Sequence, residues 1–126
     1  MIPTFTKSYE ASAAIAANRF VCFSDTAASS KVAQAAANTA PIIGVSDTLG
    51  ADIGQQCDIH LGGLVSVVLG GTVTAGAPLT ADADGKAIAA VAAASTTVRI
   101  AGFAHQPGVA GDIIDVWLAP GLLDRA

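Results

Sequence analysis

Charge is what this sequence has least of. Charged residues make up 13% of the chain, about half of the ~25% usual in a soluble domain. A 126-residue chain has room for one hydrophobic core and much surface to cover, and that surface needs polar groups to stay dispersed. The shortage implies that other chains cover part of it. The six cations, Lys7, Arg19, Lys31, Lys86, Arg99 and Arg125, are scattered and the formal charge is −4. With no basic stripe for phosphates, no nucleic-acid partner is expected. Long apolar runs are also missing. A membrane helix needs about 20 apolar residues, and the longest stretch, Ala87 to Ala94, stops at Ser95-Thr96-Thr97. No membrane partner is expected either.

Cysteine and histidine number two each. Cys22 and Cys57 do not make a disulfide framework and are expected as buried thiols in a reducing compartment. His60 and His105 lack metal-ligand spacing. The opening MIPTFTKSYEASAA has no basic stretch followed by an apolar one, so a chain that stays in the cytosol where it is made, or enters something assembled there, is expected. There is no G-x-S-x-G elbow and no phosphate-binding glycine loop followed by Lys and Ser/Thr. Asp25, Asp47, Asp52 and Asp112 stand in turn contexts, where carboxylates cap backbone rather than do acid–base work. Asp82-Ala83-Asp84-Gly85 has the opening of a calcium loop, but position 91 is Val and no Glu follows Glu10, so a tight hairpin turn is the better reading. The expectation is a protein that is not an enzyme, with no catalytic, cofactor-binding or metal-binding residues.

What the chain does have is an internal repeat. The order Ile15 to Asp25, Lys31-Val32-Ala33, Ile42 to Ser46 and Cys57 to Gly63 returns as Val73 to Asp82, Lys86-Ala87-Ile88, Ile100 to Ala104 and Ile114 to Gly121. Ile15 matches Val73 and Gly44 matches Gly102, both 58 residues apart, and Asp58 matches Asp115, 57 apart. Two copies are too few for a solenoid array. They predict two halves of one closed domain, 15–72 and 73–126, related by a pseudo-twofold axis.

Each half reads as strands. Arg19 to Phe23, Leu64 to Leu69, Val98 to Phe103 and Ile113 to Leu118 are short runs of β-formers bounded by Gly, Pro, Asp and Asn, the pattern of an all-β sandwich or small barrel. Alternation puts Ile114, Val116 and Leu118 on one face and Ile113, Asp115 and Trp117 on the other. In the matching strand it puts Cys57, Ile59 and Leu61 against Asp58 and His60, and His60, aligned with Trp117, is expected to face outward. The Ala-rich stretches 33–40 and 87–94 show no sustained helical stripe and are read as loop or irregular strand, with a short helix as the alternative. Residues 1–14 fall outside the repeat. They are expected to form an extended arm whose Ile2, Phe5 and Tyr9 dock on a neighbouring subunit.

Five stretches, Asn18-Arg19-Phe20-Val21, Ile42 to Ser46, Val73 to Ile88, Ile100 to Ala104 and Ala110 to Gly121, resemble in order and spacing a family of small bacteriophage capsid decoration (cement) proteins. The resemblance covers most of the chain from Ile15 onward. It implies a β-barrel-like structural protein on the outside of a phage head, bound to the major capsid protein over the joints between its subunits, commonly as a homotrimer. Another virion component, such as a tail or fibre protein, is the alternative, followed by a bacterial surface adhesion module and a small enzyme.

Overall fold

The computed structural model describes residues 2–125; Met1 of the expected arm and Ala126 of the second half lie outside the described residues. Among the described residues there are nine strands and no helix: β1 (Ile2–Ala11), β2 (Phe20–Phe23), β3 (Lys31–Gln34), β4 (Ile42–Ser46), β5 (Gln56–Val68), β6 (Pro78–Ala81), β7 (Ala87–Ala89), β8 (Thr96–Ala104) and β9 (Ile113–Arg125). The Ala-rich stretches thus become short strand followed by irregular chain. Alanine's helix propensity is weak beside the pull of a half-buried ladder.

All nine strands belong to one sheet, in the order β1-β3-β2-β4-β5-β9-β8-β6-β7. β1 also pairs antiparallel with β5, so β1, β3, β2, β4 and β5 close into a ring. On the other side, Leu69, just past the end of β5, bridges Ala87 of β7 in parallel, and this returns the run β5-β9-β8-β6-β7 to its start.

The same contacts recur in the two parts of the chain. β2 pairs with β3 and β4, and β4 with β5; β6 pairs with β7 and β8, and β8 with β9. Ile15 and Ala51 exchange two backbone hydrogen bonds, of 2.8 and 2.9 Å, as Val73 and Gly108 do at 3.0 and 3.2 Å. The Asp47 N–H donates to Asp58 O at 3.2 Å and the His105 N–H to Asp115 O at 3.0 Å. Ser8 donates to the Asp58 carboxylate at 2.5 Å, and Ser66 to that of Asp115 at 3.5 Å.

The core follows the strand alternation. Tyr9, Ala11, Ile15, Val21, Val32, Cys57 and Ile59 pack inside the first ring. Val67, Leu69, Val73, Leu79, Ala87, Ile114 and Val116 fill the second, and Phe20, Ile42 and Val45 from the first part of the chain pack against them. The β6–β7 turn ties the parts together. Asp84 O accepts from Arg19 Nη1 at 2.8 Å and from Gln34 Nε2 at 2.7 Å, and the Phe20 N–H donates to Gly85 O at 2.8 Å.

Residues 2–11 are not a detached arm. They form a ten-residue strand whose register runs from Ile2 opposite Leu64 to Glu10 opposite Gln56, with Glu10 and Ala11 also paired to β3. Its sequence hides the alternation because only its C-terminal end reaches the core. Tyr9 is 7% exposed and lies edge-on to Phe23 at 6.1 Å. Two register shifts, between Pro3 and Phe5 and between Phe5 and Thr6, blur the rest.

Candidate functional site

The charged groups around the open depression lined by Lys7, Ser8, Glu10 and Lys31 include an exposed ion pair, Lys31 Nζ to Glu10 Oε2 at 3.2 Å. Three of the four carboxylates singled out as turn-formers do that work: Asp25 Oδ1 accepts from the Ala27 N–H at 2.9 Å, Asp47 Oδ1 from Leu49 at 2.9 Å and Asp112 Oδ2 from Val109 at 3.0 Å, while at Asp52 the backbone N–H donates to Gln55 Oε1 at 3.0 Å. Asp82 Oδ1 accepts from the N–H groups of Asp84 and Lys86 at 2.8 and 2.9 Å, which closes the β6–β7 hairpin with Gly85 at φ +72°. Among the described residues, no group of three or more His, Cys, Asp or Glu is placed to hold a metal ion.

Both thiols are free. Cys57 is buried, and desolvation, helped by the nearby charges of Asp47 and Asp58, pushes its pKa up to about 11. Burial also raises that of Cys22, which is half-buried beside the other core. A raised pKa removes the thiolate that nucleophilic or metal chemistry requires.

His60 departs from expectation. Its register is the outward one, but Thr6 of β1 lies directly opposite, with Thr6 Oγ1 3.0 Å from His60 Nδ1, and the ring is only 8% exposed. The strand that covers it is the segment read from sequence as an arm.

What the outer face does carry is apolar. Directly opposed residues on neighbouring strands point to the same side of a sheet. Here the register places Ile2 opposite Leu64, Leu64 opposite Trp117, Trp117 opposite Phe103 and Phe103 opposite Pro78. The result is a row of apolar side chains across β1, β5, β9, β8 and β6. Ile2 is 66% exposed and Trp117 62%, while Leu64, Phe103 and Pro78 are partly buried. One row along, Ser66 faces Asp115, a polar border. Beside the row, Gly76, Phe103, Ala104, His105 and Trp117 line an open depression of about 460 Å³. A Cβ at Gly76 would meet nothing within 4 Å, so the depression is open beside that residue.

Of the three side chains expected to dock on a neighbour, Ile2 lies at the end of this row, Phe5 is 59% exposed close by on β1, and Tyr9 is committed to the core of its own domain. Sequence reasoning put Trp117 outward but named neither it nor Leu64 or Phe103 as a site. The signal that could have found them was the sole tryptophan on the polar side of an alternating strand.

Comparison with known proteins gives a family and a fold. The profile of a family described as phage cement protein matches residues 3–118. Among solved structures, the chain is similar to the head fiber N base in bacteriophage phi29, with 21% identity over 91% of this chain and 93% of that one and a TM-score of 0.67. At that identity the likeness concerns the fold. No curated protein matches the chain.

Proposed function

The chain belongs to the phage cement protein family, and from that premise we propose that it decorates the exterior of a phage head, where it binds the major capsid protein and reinforces the contacts between its subunits. The observation that carries the reading is the exposed apolar row on a chain with 13% charged residues. Apolar area removed from water contributes roughly 25 cal/mol per Å² before association costs. A modest contact repeated at every joint therefore strengthens a shell by many small increments. The work is mechanical and no enzymatic step is assigned. The protein is made in the host cytoplasm and acts in the virion.

The working unit is a homo-oligomer, a trimer by the family resemblance, and Ile2 and Phe5 on the exposed part of β1 contact a neighbouring subunit of the assembled particle. The domain is a duplication, supported by the recurring pairings and by the matched cores of the two rings. The repeated unit begins at β1 rather than at Ile15, because Tyr9 opposite Cys57 and Ser8 opposite Asp58 repeat as Val67 opposite Ile114 and Ser66 opposite Asp115.

A second reading, the base of a head fibre, is favoured by the likeness to the phi29 head fiber N base. Heads lacking the protein, incubated with it and imaged by electron microscopy, separate the two. Low knobs over subunit joints, with capsids more resistant to heat, support decoration. Projecting fibres rooted in the protein support the second reading, and absence of binding defeats both.

A further inference from the structure

We propose that the row Ile2–Leu64–Trp117–Phe103, centred on Trp117, is the footprint by which this protein docks on the multi-subunit capsid shell; the inference rests on the reading of the chain as a capsid-binding protein and adds the surface that does the binding.

The row has the anatomy of an interface core. An exposed tryptophan is the residue type most often found as the anchor of a binding surface. The backbone of Trp117 is held rigidly, because its strand is paired on both sides, to Leu64 of β5 and to Phe103 of β8. Its side chain turns about only two torsions, so covering it costs little side-chain entropy. The open depression beside it offers a partner a hole for an apolar side chain while Trp117 offers a knob. The Ser66–Asp115 row supplies a polar rim.

Area decides between a second copy of the chain and a shell. With two of its side chains about two-thirds exposed and the others partly buried, the row presents on the order of 300–400 Å². A stable pair of proteins needs about 800 Å² from each partner. Two copies joined through this row alone fall short, and each carries a charge of −4. A capsid supplies what the row lacks, since it repeats the same site at every joint, and an oligomer attached by several rows at once gains by effective concentration. The occupant is therefore an apolar patch, with its own small knob, on the outer surface of assembled capsid subunits.

Trp117 is the only tryptophan in the chain, so its fluorescence reports on this row and nothing else. The protein is titrated with heads assembled from the major capsid protein of its own phage and lacking the decoration protein. The expected result is a blue shift of the emission and protection from acrylamide quenching. Trp117→Ala keeps the far-UV dichroism and urea midpoint of the wild type and binds heads about 30-fold more weakly, the loss of an anchor worth about 2 kcal/mol. Leu49→Ala, at an exposed loop position, leaves binding unchanged. Wild-type binding without a spectral shift, or a Trp117→Ala variant that binds as well as Leu49→Ala, overturns the footprint and leaves the capsid reading intact. A blue shift produced by the protein's own concentration, without heads, assigns the row to self-association and also overturns it. Failure of the wild type to bind heads removes the capsid reading itself.

Discussion

Replacing Gly44 or Gly102 by alanine adds one methyl group at the tightest contacts in the fold. A Cβ at Gly44 would lie 2.1 Å from the backbone O of His60 and 3.0 Å from Ile59 Cγ2. At Gly102 it would lie 2.1 Å from the backbone O of Trp117 and 3.1 Å from Leu118 Cα. Each carbonyl belongs to a long strand held by its own ladder and cannot swing aside as a side-chain tip can. The clash clears only by parting the strands by about 1 Å. Overpacking of this kind costs about 1–3 kcal/mol, and losing about two ladder hydrogen bonds adds about 1 kcal/mol each. The stiffer unfolded chain returns about 0.4–1 kcal/mol. The net expectation is about 3 kcal/mol for each variant, read as a fall of roughly 12 °C in midpoint at about 4 °C per kcal/mol for a domain of this size. Gly54→Ala is the control. Its Cβ would meet nothing within 4 Å, but its φ is +82°, and left-handed backbone costs about 1–2 kcal/mol. Thermal melts followed by circular dichroism compare the three. If Gly44→Ala and Gly102→Ala lose less than Gly54→Ala, the close approach of β4 to β5 and of β8 to β9 is not what those positions are for. If only one of the two is damaging, the halves are not mechanically equivalent.

Three further outcomes follow from the same contacts. Tyr9→Ala costs about 3 kcal/mol by leaving a cavity between Phe23 and Cys57, and deletion of residues 2–9 lowers the urea midpoint further; an unchanged midpoint would return this segment to the status of a loose arm. Cys57 resists alkylation at pH 8 until the protein is denatured. Its folded pKa of about 11 stands above the unfolded 9.0, so the unfolded chain releases that proton first. The stabilisation is therefore intact below pH 9 and is lost as pH rises toward 11, and the loss is smaller in Cys57→Ala; urea titrations across that window check the sign. Asp82→Ala removes two hydrogen bonds from the β6–β7 turn and costs about 1–2 kcal/mol, whereas millimolar calcium leaves the wild-type melting curve in place; a calcium-induced rise would make the turn a metal loop.

Strand character was legible wherever one face is buried along a whole run. Ile114, Val116 and Leu118 alternate with Ile113, Asp115 and Trp117 in sequence, and the burial follows that alternation. The β6–β7 turn was legible from Asp-Gly and its flanking carboxylates. β1 was not, because the burial that marks a strand is confined to Tyr9 and Ala11 while its first seven residues run past the core. That omission propagated to His60, whose outward position could be read but whose cover, Thr6, comes from 54 residues away. The candidate row failed to appear for the same reason. Trp117, Leu64 and Ile2 are aligned by strand register, and register depends on which strands meet and on two shifts in β1 that leave no mark in composition or spacing.

The far end of β9 does not continue the core-filling pattern. Tyr9 and Val67 fill equivalent places in the two cores, and the 57-residue step that leads from Cys57 to Ile114 leads from Val67 to Asp124. A carboxylate there could be buried only at the cost of several kcal/mol. Instead Asp124 stays exposed and accepts a hydrogen bond from the Thr97 hydroxyl at 2.6 Å, while Arg125 donates to Ala92 O at 3.3 Å. The second part of β9 is thereby held against Thr96 to Ile100 of β8 rather than offered as the first strand of another unit. Pro120, Asp124 and Arg125 are the residue types that keep an edge strand from recruiting further strands. A β unit with open, self-complementary edges tends toward filaments, since each end fits the next beginning. Blocking that route at β9 leaves the face of the sheet, with the Trp117 row, as the exposed apolar surface. Under the proposed docking, copy number is set by the sites a shell presents and not by growth of the sheet.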